Sequence, residues 1–389
     1  MHPNHYTINA TDLYLYAATV LQAQLRWRDY GPKCTAIRLL GVLFYAAAQL
    51  VSVCAACNRL REAPTDQAVR AALVALCPEP AVLERQFNRS FAEHLPKALR
   101  KCTSPLAIDV VLPPYHGQPH QRLEEIYRSQ AKSGTTHFHA YATCYVVHKG
   151  RRFTVALRRV EQGTSMVTVL KQLLRTARNT GVRLRLLWLD RSFYSVEVIR
   201  YLQAARYPFL MPVICRGRKP SDPRGPTSTS VFAAQKHAGR ASYMLRHDTH
   251  QTVTVQVCVH CRNWQGRRGR QGRQTWVYAY WGITPKTTDW VYQTYRLRFG
   301  IETSYRQLHQ ARIPTTTRLP TLRLLFVGIA LFLRNLWVWV HWHQLATSRR
   351  GGRILNLHLL PFETLLMWLA HVVELTFGFN DSVVIHHLN

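Results

Sequence analysis

Acidic residues are scarce in this chain. Only 20 of 389 residues are Asp or Glu, against 51 Lys or Arg, a formal net charge of +31. So one-sided a balance opposes the compact state by self-repulsion unless a polyanion neutralises it. Nucleic acid is the polyanion that fits, because each phosphate contact releases a counterion. A membrane surface also accepts positive charge, but here the Arg residues are spread along the whole chain and form neither one amphipathic helix nor a basic tail. The N-terminus, MHPNHYTINATDLYLY, lacks the basic-then-apolar pattern of a secretory leader. Nine cysteines, an odd number at irregular spacing, make no disulfide framework, and a reduced cytoplasmic interior is expected. Long apolar runs are also missing. Within Leu319–Trp342 the uninterrupted run Leu324–Leu333 has about half the length a bilayer needs. Arg323 and Arg334–Asn335 bracket it, so a buried core helix is expected and no membrane partner. No internal repeat occurs.

What is present divides the chain into five stretches. Residues 1–103 read as helical. Thr11 or Asp12 can cap the first helix, Thr65 or Asp66 a later one, and Pro80 opens another. Short helices in a basic chain suggest a DNA-binding domain. From Pro105 the period changes. Residues 104–214 read as strands at 106–112, 138–147 and 152–159, a helix at 164–180, a strand at 183–189, a helix at 194–205 and a strand at 208–214. This order suits an α/β fold with a mixed sheet of the RNase H type. Residues 215–285 begin with a loop rich in Pro, Gly, Ser and Arg and continue as three strands, expected as a separate β-rich insertion. Residues 286–345 read as two helices completing the core, and 346–389 as a C-terminal helical segment.

With so few acids, each carboxylate in an apolar setting carries information, because an ionised carboxylate buried without a partner is costly. Asp109 sits inside LAIDVVL. Asp190 ends LRLLWLD, at the carboxyl end of an expected strand, where α/β sheets place their sites. Glu302 lies in the basic helix YRLRFGIETSYRQLHQ. Bland readings exist: a strand-end Asp caps the next helix, and Glu302 pairs with Arg298 or Arg306. Together, however, three carboxylates meet the need of phosphodiester cleavage for two divalent ions about 3.5–4 Å apart. Mg²⁺ or Mn²⁺ takes such oxygen ligands.

On the expected helix, Tyr295, Arg298, Glu302, Tyr305 and His309 share one face. The pattern Tyr295-x2-Arg298-x3-Glu302 resembles the Tyr-Arg-Glu-Lys motif of the IS4 superfamily of DDE transposases, whose lysine position is His309 here. IDVVLPPYHG around Asp109 and LLWLDRSFYSVEVIRYL around Asp190 resemble the first and second Asp blocks of its ISH3-like group. TRLPTLRLLFVGIALFLRNLWV resembles the helix that follows the Glu block. The resemblance spans about residues 100–342.

It implies an RNase H-like catalytic core with a β-rich insertion between the second Asp and the Glu. It implies catalysis by Asp109, Asp190 and Glu302 on two metal ions, with Tyr295 and Arg298 at DNA phosphates near the cut. The activity implied is cleavage at the ends of a mobile element, often through a DNA hairpin, and joining of the 3′ ends to target DNA by a homodimer on paired double-stranded ends. Further DNA contacts are expected at Arg191, Arg306 and His309, and in the Arg-rich loop at Trp264, Arg267 and Arg268, where an aromatic among cations suits an unstacked base. Lys149, Arg151 and Arg152 at a hairpin tip are also plausible contacts. Cys54–Cys57 and Cys258–Cys261 have zinc-like spacing. The first pair is expected in a core helix, and strand alternation sets the second pair on opposite faces.

Overall fold

The structure, a computed structural model, describes residues 7–101, 103–148, 151–247, 251–265, 271–350 and 352–382; side chains at 101, 151, 264, 271, 299–308 and 352 are outside that description. Six helices come first: α1 (Ala10–Leu25), α2 (Ala36–Ala48), α3 (Val53–Arg59), α4 (Asp66–Leu76), α5 (Pro80–His94) and α6 (Lys97–Lys101). Asn9, not Thr11 or Asp12, caps α1, accepting from Asp12 N at 2.8 Å. Thr65 caps α4, and Pro80 stands at the start of α5, where its missing N–H costs nothing.

The alternating segment then supplies β1 (Thr103–Val111), the hairpin β2 (Tyr127–Lys132) and β3 (Thr135–Phe138), then β4 (Ala140–His148) and β5 (Arg151–Val160). After α7 (Met166–Asn179) come β6 (Arg183–Leu189), α8 (Val196–Ala204) and β7 (Phe209–Pro212). Next are the short α9 (Ser230–Ala233), β8 (Gly239–Arg246), β9 (Thr252–Gln265) and β10 (Gln271–Trp281). The chain closes with α10 (Thr288–Gln310), α11 (Pro320–His343), the hairpin β11 (Ala346–Arg349) and β12 (Gly352–Leu355), and α12 (Phe362–Phe377).

Eight strands form one mixed sheet in the order β5-β4-β1-β6-β7-β10-β9-β8. β1 is antiparallel to β4 and parallel to β6, and β6 is parallel to β7. Two features differ from the sequence reading. The strands expected as a separate unit continue this sheet, because β10 pairs with β7 from Tyr278↔Pro212 to Trp281↔Phe209. The apolar Phe209–Met211 segment is fully buried and leaves one ladder edge to fill, which β10 satisfies. The β2–β3 hairpin was also not expected. Its turn has positive φ at Ser133 and Gly134, the conformation that matches strand twist.

Side-chain alternation sorts the core into two faces. Ala107, Leu186, Trp188, Tyr278, Val291 and Tyr295 cluster on one side, under α10. Leu106, Ile108, Leu187 and Leu189 join the larger cluster on the other, with α7 and the N-terminal helices. The helical first hundred residues pack into this second cluster, α5 against α11 and β5, and α1 against α12. A Cβ on Gly328 of α11 would overlap the Phe87 ring of α5, so this close approach requires glycine. α11 is buried over most of its length, as expected of a core helix, with its polar members placed: Arg334 lies over the Trp337 ring at 4.2 Å.

Edge strand β5 is covered rather than left open. Asn88 accepts from Leu157 N at 2.7 Å and donates to Leu157 O at 3.0 Å. Glu84 accepts from Arg159 N at 2.7 Å. Asn335 accepts from Thr154 N at 2.9 Å and donates to Thr154 O at 2.8 Å. Helix side chains thus play the part of a missing strand.

Candidate active site

Asp109 and Asp190 meet because of register. Ile108 is paired with Leu189 in the parallel β1–β6 ladder, so the next residue of each strand lies at the carboxyl end of the sheet. Their parity, shared with Ala107 and Trp188, turns both toward α10. Asp109 is 9% exposed, and its Oδ1 accepts from Val110 N at 2.8 Å. Asp190 begins a single 3-10 turn, Arg191–Phe193, but its side chain makes no capping hydrogen bond. The carboxylate is directed elsewhere.

It is directed to Arg298. The Nη2 of Arg298 lies 3.3 Å from Asp109 Oδ2 and 3.4 Å from Asp190 Oδ1. Its Nη1 donates to the Tyr295 hydroxyl at 2.9 Å, and that hydroxyl donates to Leu189 O at 3.1 Å. The Tyr295 ring packs against Tyr278 at 5.0 Å. Burial, opposed by the Arg298 charge, pushes the Tyr295 phenol well above its ordinary value, so it stays a neutral donor. One guanidinium therefore bridges two carboxylates from neighbouring strands, and Tyr295 ties it to β6, the strand that leads into Asp190. Both acids supply hard oxygen donors around a common cationic point, the donor chemistry Mg²⁺ or Mn²⁺ requires. Among the described residues no group of three metal-ligating side chains forms, and the Glu302 side chain falls outside them.

Beside the pair a cleft of about 610 Å³ opens, reaching from Asp109 and Asp190 past Lys132 to His309 and Arg312. The family model of the transposase DDE domain matches residues 100–331, more than half the chain and all three acidic blocks. The chain belongs to the transposase DDE domain family. A solved structure of the piggyBac transposase synaptic complex with hairpin DNA matches with a TM-score of 0.55, covering 97% of this chain and 82% of that one. At 11% identity the likeness is one of fold, a mixed α/β architecture with a large sheet. No curated protein matches the chain.

Against the family's motif, the other expected residues distribute unevenly. Tyr295 and Arg298, expected at DNA phosphates, are 1% and 7% exposed and face the carboxylates. Arg191 is exposed in the turn after Asp190, and His309 is exposed at the cleft wall. Arg152 departs from its expected place at a DNA-facing hairpin tip: it is buried and donates to Leu297 O at 3.0 Å, holding β5 to α10. Arg267, Arg268, Lys149 and the side chains of Trp264, Arg151 and Arg306 lie outside the described residues. Cys258 and Cys261 fall in the two opposite clusters of the sheet, as alternation requires.

Lys132 and Arg312 were not singled out by sequence. Both line the cleft, and among the described residues neither pairs with a carboxylate. Lys132 lies beyond sequence pattern because its hairpin interrupts the strand reading. His309, on the same cleft wall, is held below the usual imidazole range, first by partial desolvation of its otherwise exposed ring, then by the charges of Arg312 and Lys132.

His139 also lines the cleft. It is 1% exposed, and neither ring nitrogen has a hydrogen-bond partner. Burial, then the charges of Arg323 and Arg159, lowers it to about 3. Its folded value lies below the unfolded value of about 6.5, so the unfolded chain takes up the proton first. Its titration costs the fold nothing above pH 6.5 and more as pH falls toward 3. Against His139→Phe, the native chain should lose about 1.4 kcal/mol per pH unit across that window. Paired urea melts at pH 7, 6 and 5 measure the difference, and parallel pH profiles for the two proteins would refute the assignment.

Proposed function

We propose that this chain is a metal-dependent DNA transposase of the ISH3-like group. One observation carries the reading: Asp109 and Asp190 stand side by side at the carboxyl ends of parallel strands, converging on one cation, inside the family match. The strand order β5-β4-β1-β6-β7, with β1 antiparallel to β4 and parallel to β6, supports an RNase H-like core. In this reading Asp109 and Asp190 hold two Mg²⁺ or Mn²⁺ ions together with Glu302, four residues beyond Arg298 on α10. When bound, such ions supply an activated nucleophile and stabilise the leaving oxygen of the phosphodiester. Asp109, fixed by Val110 N, and Asp190, free of capping duty, present the oxygens.

The substrate is the double-stranded DNA at the ends of an insertion element, and the product is a 3′-OH end joined to target DNA. The piggyBac complex contains hairpin DNA, which supports a hairpin route here, with the Trp264–Arg268 loop receiving an unstacked base. The first 103 residues serve end binding, the protein acts as a homodimer on paired ends, and the work is done on cytoplasmic, nucleoid-associated DNA. Lys132 and Arg312 grip the DNA backbone at the cleft, flanking His309, whose neutral ring supplies no charge. Lys132→Ala with Arg312→Ala should lower the salt dependence of DNA binding by about 0.9 log units per log salt for each phosphate no longer neutralised. Anisotropy titrations of a labelled duplex from low to high salt measure that slope; an unaltered slope removes both residues from the DNA path.

The test of the function is a reaction. Full-length protein is incubated with Mg²⁺, a plasmid and duplexes carrying the element's terminal inverted repeats with flanking DNA. Cleavage at the repeat boundary followed by plasmid insertion is expected. Cleavage without joining makes the protein a nuclease, and no cleavage in either Mg²⁺ or Mn²⁺ defeats the enzymatic reading.

A further inference from the structure

Arg298 poses a specific problem. A residue destined only to touch DNA would point to solvent, yet this guanidinium is 7% exposed and faces two aspartates. Its Nη2 is shared between Asp109 Oδ2 at 3.3 Å and Asp190 Oδ1 at 3.4 Å. Both distances exceed the roughly 2.7–2.9 Å of a well-formed charge-assisted hydrogen bond. The opposite side of the guanidinium is better held, with Nη1 at 2.9 Å from the Tyr295 hydroxyl. The side chain is thus anchored firmly to α10 and β6 and only loosely to the acids.

We infer that Arg298 is a resident counter-cation that keeps Asp109 and Asp190 together and competes with divalent metal for their oxygens. The inference rests on the reading of those two acids as metal ligands. Two carboxylates crowded at neighbouring strand ends repel, and a cation placed between them offsets that repulsion. Arg298 supplies that charge and keeps both acids in position. A divalent ion held by the same oxygens would bring more charge than the guanidinium, so Arg298 would give up Asp109 and Asp190 to it. Arg298 remains moored beside the site through Tyr295, with a planar fork freed for a phosphate oxygen. Arg298 then serves in sequence as a positioning residue for the acids and as a phosphate ligand.

Metal affinity reads this directly. Mn²⁺ is titrated calorimetrically into the full-length wild-type chain, Arg298→Gln, Arg298→Lys, Asp190→Asn and Asp190→Asn/Arg298→Gln, with folding checked by circular dichroism. Arg298→Gln should bind Mn²⁺ about tenfold tighter than wild type, the low end of the range for a hydrogen bond to a charged group because the competing contacts are long. Arg298→Lys, which keeps the charge but loses the fork, should fall between, and the double variant should lose the gain. A residue that merely supports the fold leaves affinity unchanged or weakens it, and either result in folded Arg298→Gln overturns the inference. If that variant does not fold, Arg298→Lys decides: binding equal to or weaker than wild type overturns it. Should Asp190→Asn leave Mn²⁺ binding intact, the metal reading of the pair fails and the inference with it. Loss of binding in Asp190→Asn without tightening in the Arg298 variants sinks the inference alone.

Discussion

Asp190→Asn is expected to abolish Mg²⁺-dependent cleavage of element ends while leaving end binding and folding in place. The substitution keeps the shape of the side chain and removes its charge, so any metal held there loses a directly bound carboxylate. Removing even an outer partner of a metal ligand costs about 10–100-fold, so the loss here should exceed about a hundredfold. The fold should tolerate the change, because Asp190 makes no capping hydrogen bond and its side chain is 35% exposed. Arg298 retains Asp109 and the Tyr295 hydroxyl as partners. Single-turnover cleavage of a labelled end duplex gives the rate, and a gel-shift on the same duplex gives the binding. Cleavage within a few-fold of wild type would remove Asp190 from the active site. Binding lost together with cleavage would mean that the residue supports the fold.

Asn335→Leu should produce the largest loss of stability. Asn335 is 2% exposed on α11, and its amide makes both hydrogen bonds of the fully buried Thr154 backbone. Leucine has the same branched shape, with bulkier methyl groups, but no donor or acceptor. The edge of β5 then keeps one N–H and one C=O stripped of both water and partner. Each such group costs about 1–3 kcal/mol, so the total is about 2–6 kcal/mol, a large part of the roughly 5–15 kcal/mol that holds a typical domain. Asn88→Leu removes the equivalent pair at Leu157, but Asn88 is only partly buried, and water compensates in part. Urea unfolding at pH 7 should therefore rank wild type above Asn88→Leu above Asn335→Leu. Equal midpoints for wild type and Asn335→Leu would show that α11 does not seal that edge.

Much of this was legible in local sequence. The short apolar runs at 106–112 and 183–189 became β1 and β6, and the position of each Asp within or after its run set its end of the sheet. The apolar Leu319–Trp342 stretch became the buried helix α11, with Arg323, Arg334 and Asn335 absorbed by specific partners. Features that depend on distant pairing were not legible. The three strands within residues 215–285 join the sheet because β10 completes the ladder of β7, and no pattern within that stretch specifies that partner. Tyr295 and Arg298 share a helix face in sequence, but whether that face meets solvent, DNA or the sheet depends on how α10 docks.

The sequence by itself determined which chemistry is available: an excess of cations for a polyanion, and two aspartates placed in or at the end of apolar runs, where an ionised carboxylate calls for a partner. It determined the elements that carry them, because side-chain period is a local property of the backbone. Tertiary structure alone decided that Asp109 and Asp190 are neighbours, because parallel pairing joins strands some eighty residues apart. It alone decided that Arg298 is turned inward between them, because the face an amphipathic helix buries is chosen by the surface it packs on, and here that surface is the tyrosine-rich side of the sheet.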